Sequence, residues 1–191
     1  MRKRIRGDLE PIQAPSGPLT LEGRYRRGAE GGAGPAGVVI CHPHPQFGGS
    51  MDNNVVEALE DALAAGGMAT LAFNFRGVGG SGGGYDQMRG EVDDVVAALT
   101  YLAKRPEVDP GRIGLAGYSF GGLMAMLAAA RLEEAFTASG GFRPGPVALV
   151  SPMSAARPWE RMPELAPFYE RSGPTLIVPG RDPLPDMDRN F

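Results

Sequence analysis

Gly117-Tyr118-Ser119-Phe120-Gly121 decides the fold, because an apolar run, Arg112-Ile113-Gly114-Leu115-Ala116, leads into it and a helical segment, Leu123-Met124-Ala125-Met126-Leu127, leaves it. A GxSxG pentapeptide is a weak signal alone, but between a strand and a helix it is the context of a sharp turn that lifts a serine hydroxyl clear of the backbone at the positive end of the helix. A serine hydroxyl is a poor nucleophile, and such a turn is one way of activating it. Small residues must flank the serine. Gly117 and Gly121 supply them, since a side chain at either place is expected to collide with the neighbouring strand or the helix start.

Working outward, the apolar runs alternate in type. Leu19 to Arg26 alternates apolar and polar residues, as a half-exposed antiparallel strand near a sheet edge does. Val38-Val39-Ile40-Cys41 is a short continuous apolar run, expected of a strand covered on both faces. Asn54 to Ala65 sets Val55, Leu59, Ala62 and Leu63 on one helical stripe, with Asp52 or Asn53 as cap and Gly66-Gly67 as stop. Met68 to Phe75 is a further strand. Glu91 to Lys104 repeats Val92, Val95, Val96, Leu99 and Leu102 at helical spacing, and Pro106 closes it. Strand 112–116, helix 120–133, strand Val147 to Val150 and strand Thr175 to Val178 complete the series. This alternation predicts an α/β fold of three layers, a mostly parallel sheet with helices on both faces. The domain reading is a flexible segment over residues 1–18 followed by a single domain over 19–191.

Composition narrows the function. With 191 residues the chain is one domain by length. A net charge of -3 argues against nucleic acid as a partner, which a basic excess would favour. Met1-Arg2-Lys3-Arg4-Ile5-Arg6 is basic, but no apolar core follows it before Pro18, so it reads neither as a signal peptide nor as an anchor. No apolar run nears the ~18 residues of a membrane span, and the single Cys41 cannot form an internal disulfide. Cytoplasm is the expected compartment, with no membrane partner.

In an open parallel sheet the chemistry collects where strands end. Two loops there carry unusual residues: Cys41-His42-Pro43-His44-Pro45-Gln46-Phe47-Gly48-Gly49-Ser50-Met51-Asp52-Asn53-Asn54 and Asn74-Phe75-Arg76-Gly77-Val78-Gly79-Gly80-Ser81. With the serine turn, these resemble the α/β-hydrolase superfamily, in particular its small lidless bacterial branch, whose CHPHPxxGGxMxNxV loop and NFRGVG turn stand here in the same order. The resemblance covers roughly Leu19 to Asp182. It implies a nucleophile elbow at Ser119 and an acid at Asp182, with Asp186 and Asp188 as neighbouring alternatives. It also implies an oxyanion hole built from the Phe120 N–H and one amide of the loop after Cys41. Pro43 and Pro45 have no N–H, which leaves His44, Gln46 or Phe47, and His44 is preferred as nearest the strand end. His42, Phe47, Gly48, Arg76 and Tyr118 are expected around the pocket, with a small acyl compound as substrate.

Other readings of the same residues stay open here. His42 and His44 suit structural imidazoles that shape their loop. A metal held by His42, His44 and Asp52 is the weaker alternative, because a metal site asks for three or four ligands in near-closed geometry; no metal and no cofactor are expected. Gly77-Val78-Gly79-Gly80-Ser81-Gly82 matches GxGxxG, yet residues 83–90 intervene before a helix, so a dinucleotide pyrophosphate would meet no helix terminus. Arg76 is expected to pair with a carboxylate and pin this loop.

Family members continue past the acid through a helix, a last strand and a histidine loop, whereas this sequence has no histidine after position 44. The expectation is a C-terminally truncated member, lacking the last strand and helices, impaired in activity and prone to self-association through the edge of strand 175–178. A base at His42 or His44 would lie beside the serine strand, but Asp182 would then stand roughly 14 Å away, three strand spacings, too far to orient the ring. The missing base also raises an alternative, a noncatalytic hydrolase-like binding domain. Residues 151–173, with Pro152, Pro158, Pro163 and Pro167 among them, leave little length for a lid; Trp159, Phe168 and Tyr169 are candidate pocket or packing residues.

Overall fold

The computed structural model describes residues 9–29, 34–139, 145–150 and 175–178. Among these residues seven strands form one sheet: β1 (Leu9–Ser16), β2 (Leu19–Arg26), β3 (Gly37–Cys41), β4 (Ala69–Phe73), β5 (Ile113–Tyr118), β6 (Val147–Val150) and β7 (Thr175–Val178). Their order is β1-β2-β4-β3-β5-β6-β7, with the first two pairings antiparallel and the rest parallel. Among the described residues three α-helices accompany them: α1 (Asn54–Ala65), α2 (Arg89–Ala103) and α3 (Phe120–Ser139). The expected α/β layering is therefore present, and the central strands β3 and β4 are buried at every position.

The two faces of the sheet carry separate cores. Val39, Cys41, Leu71, Phe73 and Leu115 point toward α2 and α3, where Leu99, Leu102, Leu123 and Met124 meet them. Val38, Ile40, Ala72 and Ala116 point the other way, toward Val56, Leu59 and Leu63 of α1. This is the period-two alternation of a strand read against helices on both sides.

Three details depart from the sequence reading. First, residues 9–16 are not part of a flexible tail: Leu9–Ser16 is β1, paired along its whole length with β2 across the Gly17-Pro18 turn. Ile12, Ala14 and Ser16 alternate inward. Pro11 and Pro15 disguise this strand in the sequence, yet β1 is an edge strand, where a missing N–H costs no ladder bond. Gly17 takes the left-handed conformation (φ 57°) that the two-residue hairpin turn requires. Second, the buried stripe of α1 runs through Val56 and Glu60 with Leu59 and Leu63 beside it, while Ala62 is exposed. The expected stripe is rotated because Glu60 faces inward, where its carboxylate meets Arg24 at 3.0 Å. Third, α2 begins at Arg89, two residues earlier than the apolar spacing predicts, and α3 extends to Ser139.

The helix caps follow the sequence more closely. Asn53 accepts a hydrogen bond from the Val55 N–H at 2.9 Å, and Gly66 with Gly67 (φ 79°) ends α1.

Candidate active site

Ser119 sits between the last residue of β5 and the first of α3, half-buried, with φ 53°. A positive φ is uncommon for a residue other than glycine and costs of order 1–3 kcal/mol, so the surrounding structure must impose it. Its N–H donates to Val150 O at 3.0 Å, and its carbonyl accepts from the Gly122 and Leu123 N–H groups at 3.0 and 3.3 Å. The two glycines are required by close backbone approach. A Cβ on Gly121 would stand 2.3 Å from Cys41 O and 2.5 Å from His42 O, and one on Gly117 would stand 2.4 Å from Gly121 O. The start of α3 thus presses directly on the exit of β3.

The register sets what faces Ser119. Cys41 pairs with Gly117, so the loop after Cys41 leaves the sheet level with Tyr118, Ser119 and Phe120. Tyr118, half-buried, pairs with Val150 on the other side.

In the loop after β3, His42 is fully buried and both of its ring nitrogens are used. Nδ1 lies 2.6 Å from Pro43 O, and Nε2 accepts from the Phe75 N–H at 3.0 Å. That pairing fixes the neutral tautomer with the proton on Nδ1, and burial lowers the ring's pKa to about 4. His42 is a structural imidazole that ties the exit of β3 to the exit of β4. His44 Nδ1 accepts from the Gln46 N–H at 3.2 Å, and burial also holds its pKa below the ordinary histidine value. Its ring packs against Phe120, Phe47 and Tyr85, with centroids 4.6, 4.9 and 5.0 Å away.

The backbone amides of this loop are mostly committed. Gln46 N–H is taken by the His44 ring, and Phe47 and Gly49 N–H both donate to His44 O at 3.1 Å. The amides of His44 and Phe120 donate no hydrogen bond among the described residues. Pro45 to Phe47 forms one 3₁₀ turn ended by Gly48 in the left-handed conformation, φ 76°.

The glycine loop after β4 is held by an arginine and an asparagine. Arg76 donates from its backbone N–H and Nε to Asp94 Oδ2, both at 3.0 Å, and from a terminal nitrogen to Asp94 Oδ1 at 2.8 Å. Asp94, on α2, is fully buried and also accepts from Ser16 Oγ at 2.8 Å. The expected pairing of Arg76 is present, and its guanidinium is spent on holding the loop rather than standing free in a pocket. Gly90 makes room for it, since a Cβ there would overlap the guanidinium. Asn74 Nδ2 donates to Glu22 Oε2 and Asn74 Oδ1 accepts from the Met51 N–H, each at 2.8 Å. Glu22 further accepts from the Gly80 N–H at 2.7 Å, and Gly79, φ 54°, would place a Cβ 2.5 Å from both Asn74 and Glu22 side chains. Gly79 of the GxGxxG look-alike therefore serves this junction, and among the described residues no helix opens between it and Arg89.

Asp182, Asp186, Asp188, Trp159, Phe168, Tyr169 and the 151–173 segment lie outside the described residues. The residues offered as an alternative metal set are otherwise engaged: His42 as above, and Asp52 with Arg24 at 2.6 Å. Two members of the site escape the sequence reading. Tyr85 lies against His44 and Phe120, and the available signal was an aromatic residue set in a run of glycines. Glu22 is a strand residue whose carboxylate reaches the loops, and nothing in its local pattern marks it. No helix among the described residues is long and apolar enough to cross a membrane.

Solved structures with the same architecture include an α/β serine hydrolase homologue from Coxiella burnetii, 29% identical, with TM-score 0.63, covering 90% of this chain and 86% of that one. They also include a lidless α/β serine hydrolase from Xanthomonas campestris, 25% identical, with TM-score 0.63, covering 93% and 87%. An uncharacterised protein of Rickettsia prowazekii is 41% identical over 114 residues, which is 60% of this chain and 47% of that protein. The chain spans about half the length of that relative. The model of the X-Pro dipeptidyl-peptidase (S15) family matches residues 26–140, a span that runs from the end of β2 through α3 and contains the serine turn and both loops packed around it. With the α/β-hydrolase sheet order, the glycine-flanked serine turn and this match together, the chain belongs to the X-Pro dipeptidyl-peptidase (S15) family and has the α/β-hydrolase fold.

Proposed function

We propose that this hydrolase acts on small esters, thioesters or activated amides through an acyl-enzyme at Ser119. The observation that carries the reading is the backbone of Ser119 itself: a non-glycine residue at φ 53°, half-buried, with α3 beginning at the next residue. In the reaction, Ser119 Oγ attacks the acyl carbon, its proton passes to a base, and the leaving group departs with a proton. Water then releases the acid by the same route. The N–H groups of Phe120 and His44 are assigned as oxyanion donors, supported by their freedom from other hydrogen bonds among the described residues while the competing amides of Gln46 and Phe47 are occupied. Losing one such donor typically costs about 10² to 10³ in rate.

Asp182 is assigned as the acid that orients the base. The base is not His42, whose two nitrogens are committed to backbone groups. We assign it to a histidine outside residues 1–191, so that these residues alone turn over substrate slowly or not at all. On this reading the molecule works in the cytoplasm without a cofactor, and residues 1–191 self-associate through β7, where Leu176 is exposed at the end of the described sheet.

Labelling with a fluorophosphonate tests the assignment. The full-length protein is expected to take up the probe at Ser119 and to lose labelling in Ser119→Ala. Equal labelling of the variant, or no labelling of the full-length protein, overturns it. A noncatalytic binding role is the outcome in the second case.

A further inference from the structure

Phe47 is 73% exposed, although its ring lies against the buried imidazole of His44, which in turn packs on the buried ring of Phe120. A single exposed phenyl group is ordinary on a protein surface. This one differs in being fixed. Its N–H is bonded to His44 O, Pro45 opens its 3₁₀ turn, and its ring lies 4.9 Å from the imidazole of the residue assigned as an oxyanion donor.

Tyr85 meets the same imidazole at 5.0 Å and Phe120 at 6.2 Å, while Phe47 and Tyr85 make no ring contact with each other among the described residues. His44 therefore forms a floor between two separated aromatic rings. The Tyr85 side is built under strain. Gln87 and Met88 both take positive φ, 50° and 74°, and the turn is held because the Asp86 N–H donates to the fully buried Glu91 carboxylate at 2.8 Å. Strained non-glycine backbone persists only where its surroundings over-determine it, and it concentrates at ligand-holding sites.

We propose that Phe47 and Tyr85 are specificity-determining walls that select an apolar acyl group larger than acetyl, either a medium alkyl chain or an aryl group. This rests on the acyl-transfer reading of Ser119 for its place in catalysis, but the apolar contact itself does not require turnover. Aromatic side chains offer large, stiff contact surfaces at low entropic cost, and the exposed ring of Phe47 and the half-buried ring of Tyr85, set on either side of the buried His44 imidazole, suit a chain or ring laid between them. In this orientation the carbonyl oxygen meets the His44 and Phe120 amides and the acyl chain runs between the rings of Phe47 and Tyr85.

Two measurements on the full-length protein test this. The first compares kcat/KM for p-nitrophenyl acetate and p-nitrophenyl hexanoate, which share a leaving group. Full burial of a methylene corresponds to about fourfold, so half-burying the four extra methylenes gives a hexanoate preference of roughly 16-fold. Phe47→Ala and Tyr85→Ala are each expected to cut that preference at least threefold, mainly through KM. The second is saturation-transfer NMR of 3-phenylpropionate. Its aryl protons are expected to receive saturation from wild type and from Ser119→Ala, and to lose most of it in Phe47→Ala. A preference unchanged in both wall variants, or aryl saturation that Phe47→Ala leaves intact, overturns the inference. Failure of the serine assignment reads differently: ester turnover is then absent or survives Ser119→Ala, while the aryl contact still depends on Phe47.

Discussion

The buried imidazole of His42 makes stability depend on pH in a direction fixed by its hydrogen bonds. In the folded protein the ring is neutral, with a pKa lowered to about 4 by burial, whereas in the unfolded chain it titrates near the ordinary value of 6.5. The folded-state pKa is the lower of the two, so between pH 6.5 and 4 the unfolded chain holds the extra proton. The contribution is complete above about pH 6.5 and is lost as the pH falls toward 4. Between pH 7 and 5 the loss amounts to about 2 kcal/mol, a sizeable part of the stability of a domain this size. Burial lowers the pKa of His44 as well, so acid acts on both rings in the same sense. His42→Gln isolates the first. A glutamine side chain can donate to Pro43 O and accept from the Phe75 N–H but does not titrate. Urea unfolding of wild type and variant at pH 7, 6 and 5 is the assay. Wild type is expected to lose about 2 kcal/mol more than the variant over that range. Parallel pH profiles would mean that the ring is protonated or solvated in the folded state, and the assignment of its tautomer would fall with it.

Gly121→Ala sets a Cβ against two backbone oxygens of the β3 exit, which cannot rotate away; a loss of roughly 3 kcal/mol is expected in the same urea assay, against under 1 kcal/mol for Gly84→Ala, where the space is open. Asp94→Ala leaves the guanidinium of Arg76 without its buried, doubly bonded partner, with only the exposed Asp86 carboxylate at 3.8 Å, and removes the acceptor of Ser16. The expected cost is about 3–5 kcal/mol, and a double variant with Arg76→Met should cost clearly less than the sum of the two singles. Ser119→Gly relieves the left-handed backbone where Ser119→Ala does not, so the glycine variant is expected to unfold at a denaturant concentration equivalent to about 1 kcal/mol more stability than the alanine variant.

The layered fold was legible because its strands carry continuous apolar runs and its helices carry 3.6-residue stripes, signals that depend on neighbours close in sequence. The serine turn was legible for the same reason: strand, glycine, serine, glycine and helix are contiguous. What escaped was set by contacts across the chain. β1 hid behind Pro11 and Pro15, which are acceptable only because the strand lies at the sheet edge, a fact of topology. The stripe of α1 turned on Glu60, whose inward position makes sense only with Arg24 across from it. His42 was rightly expected to shape its loop, but only the register of β3 beside β4 reveals that Phe75 supplies the second hydrogen bond. Glu22 reaches the site from a strand whose local pattern carries no trace of it, and Tyr85 is marked only as an aromatic residue among glycines.

The bond between Glu22 and Asn74 has a practical bearing on how the protein can be cut. The family model begins at residue 26, four positions after Glu22, so an expression fragment trimmed to that boundary would discard the carboxylate that receives Asn74 Nδ2 and the Gly80 amide. Asn74 would keep Met51 but lose its anchor, and the glycine-rich turn would be left without the acceptor it folds around. The opening hairpin is thus a brace for the end of the sheet that carries Ser119, and sequence boundaries drawn by similarity alone fall on the wrong side of it.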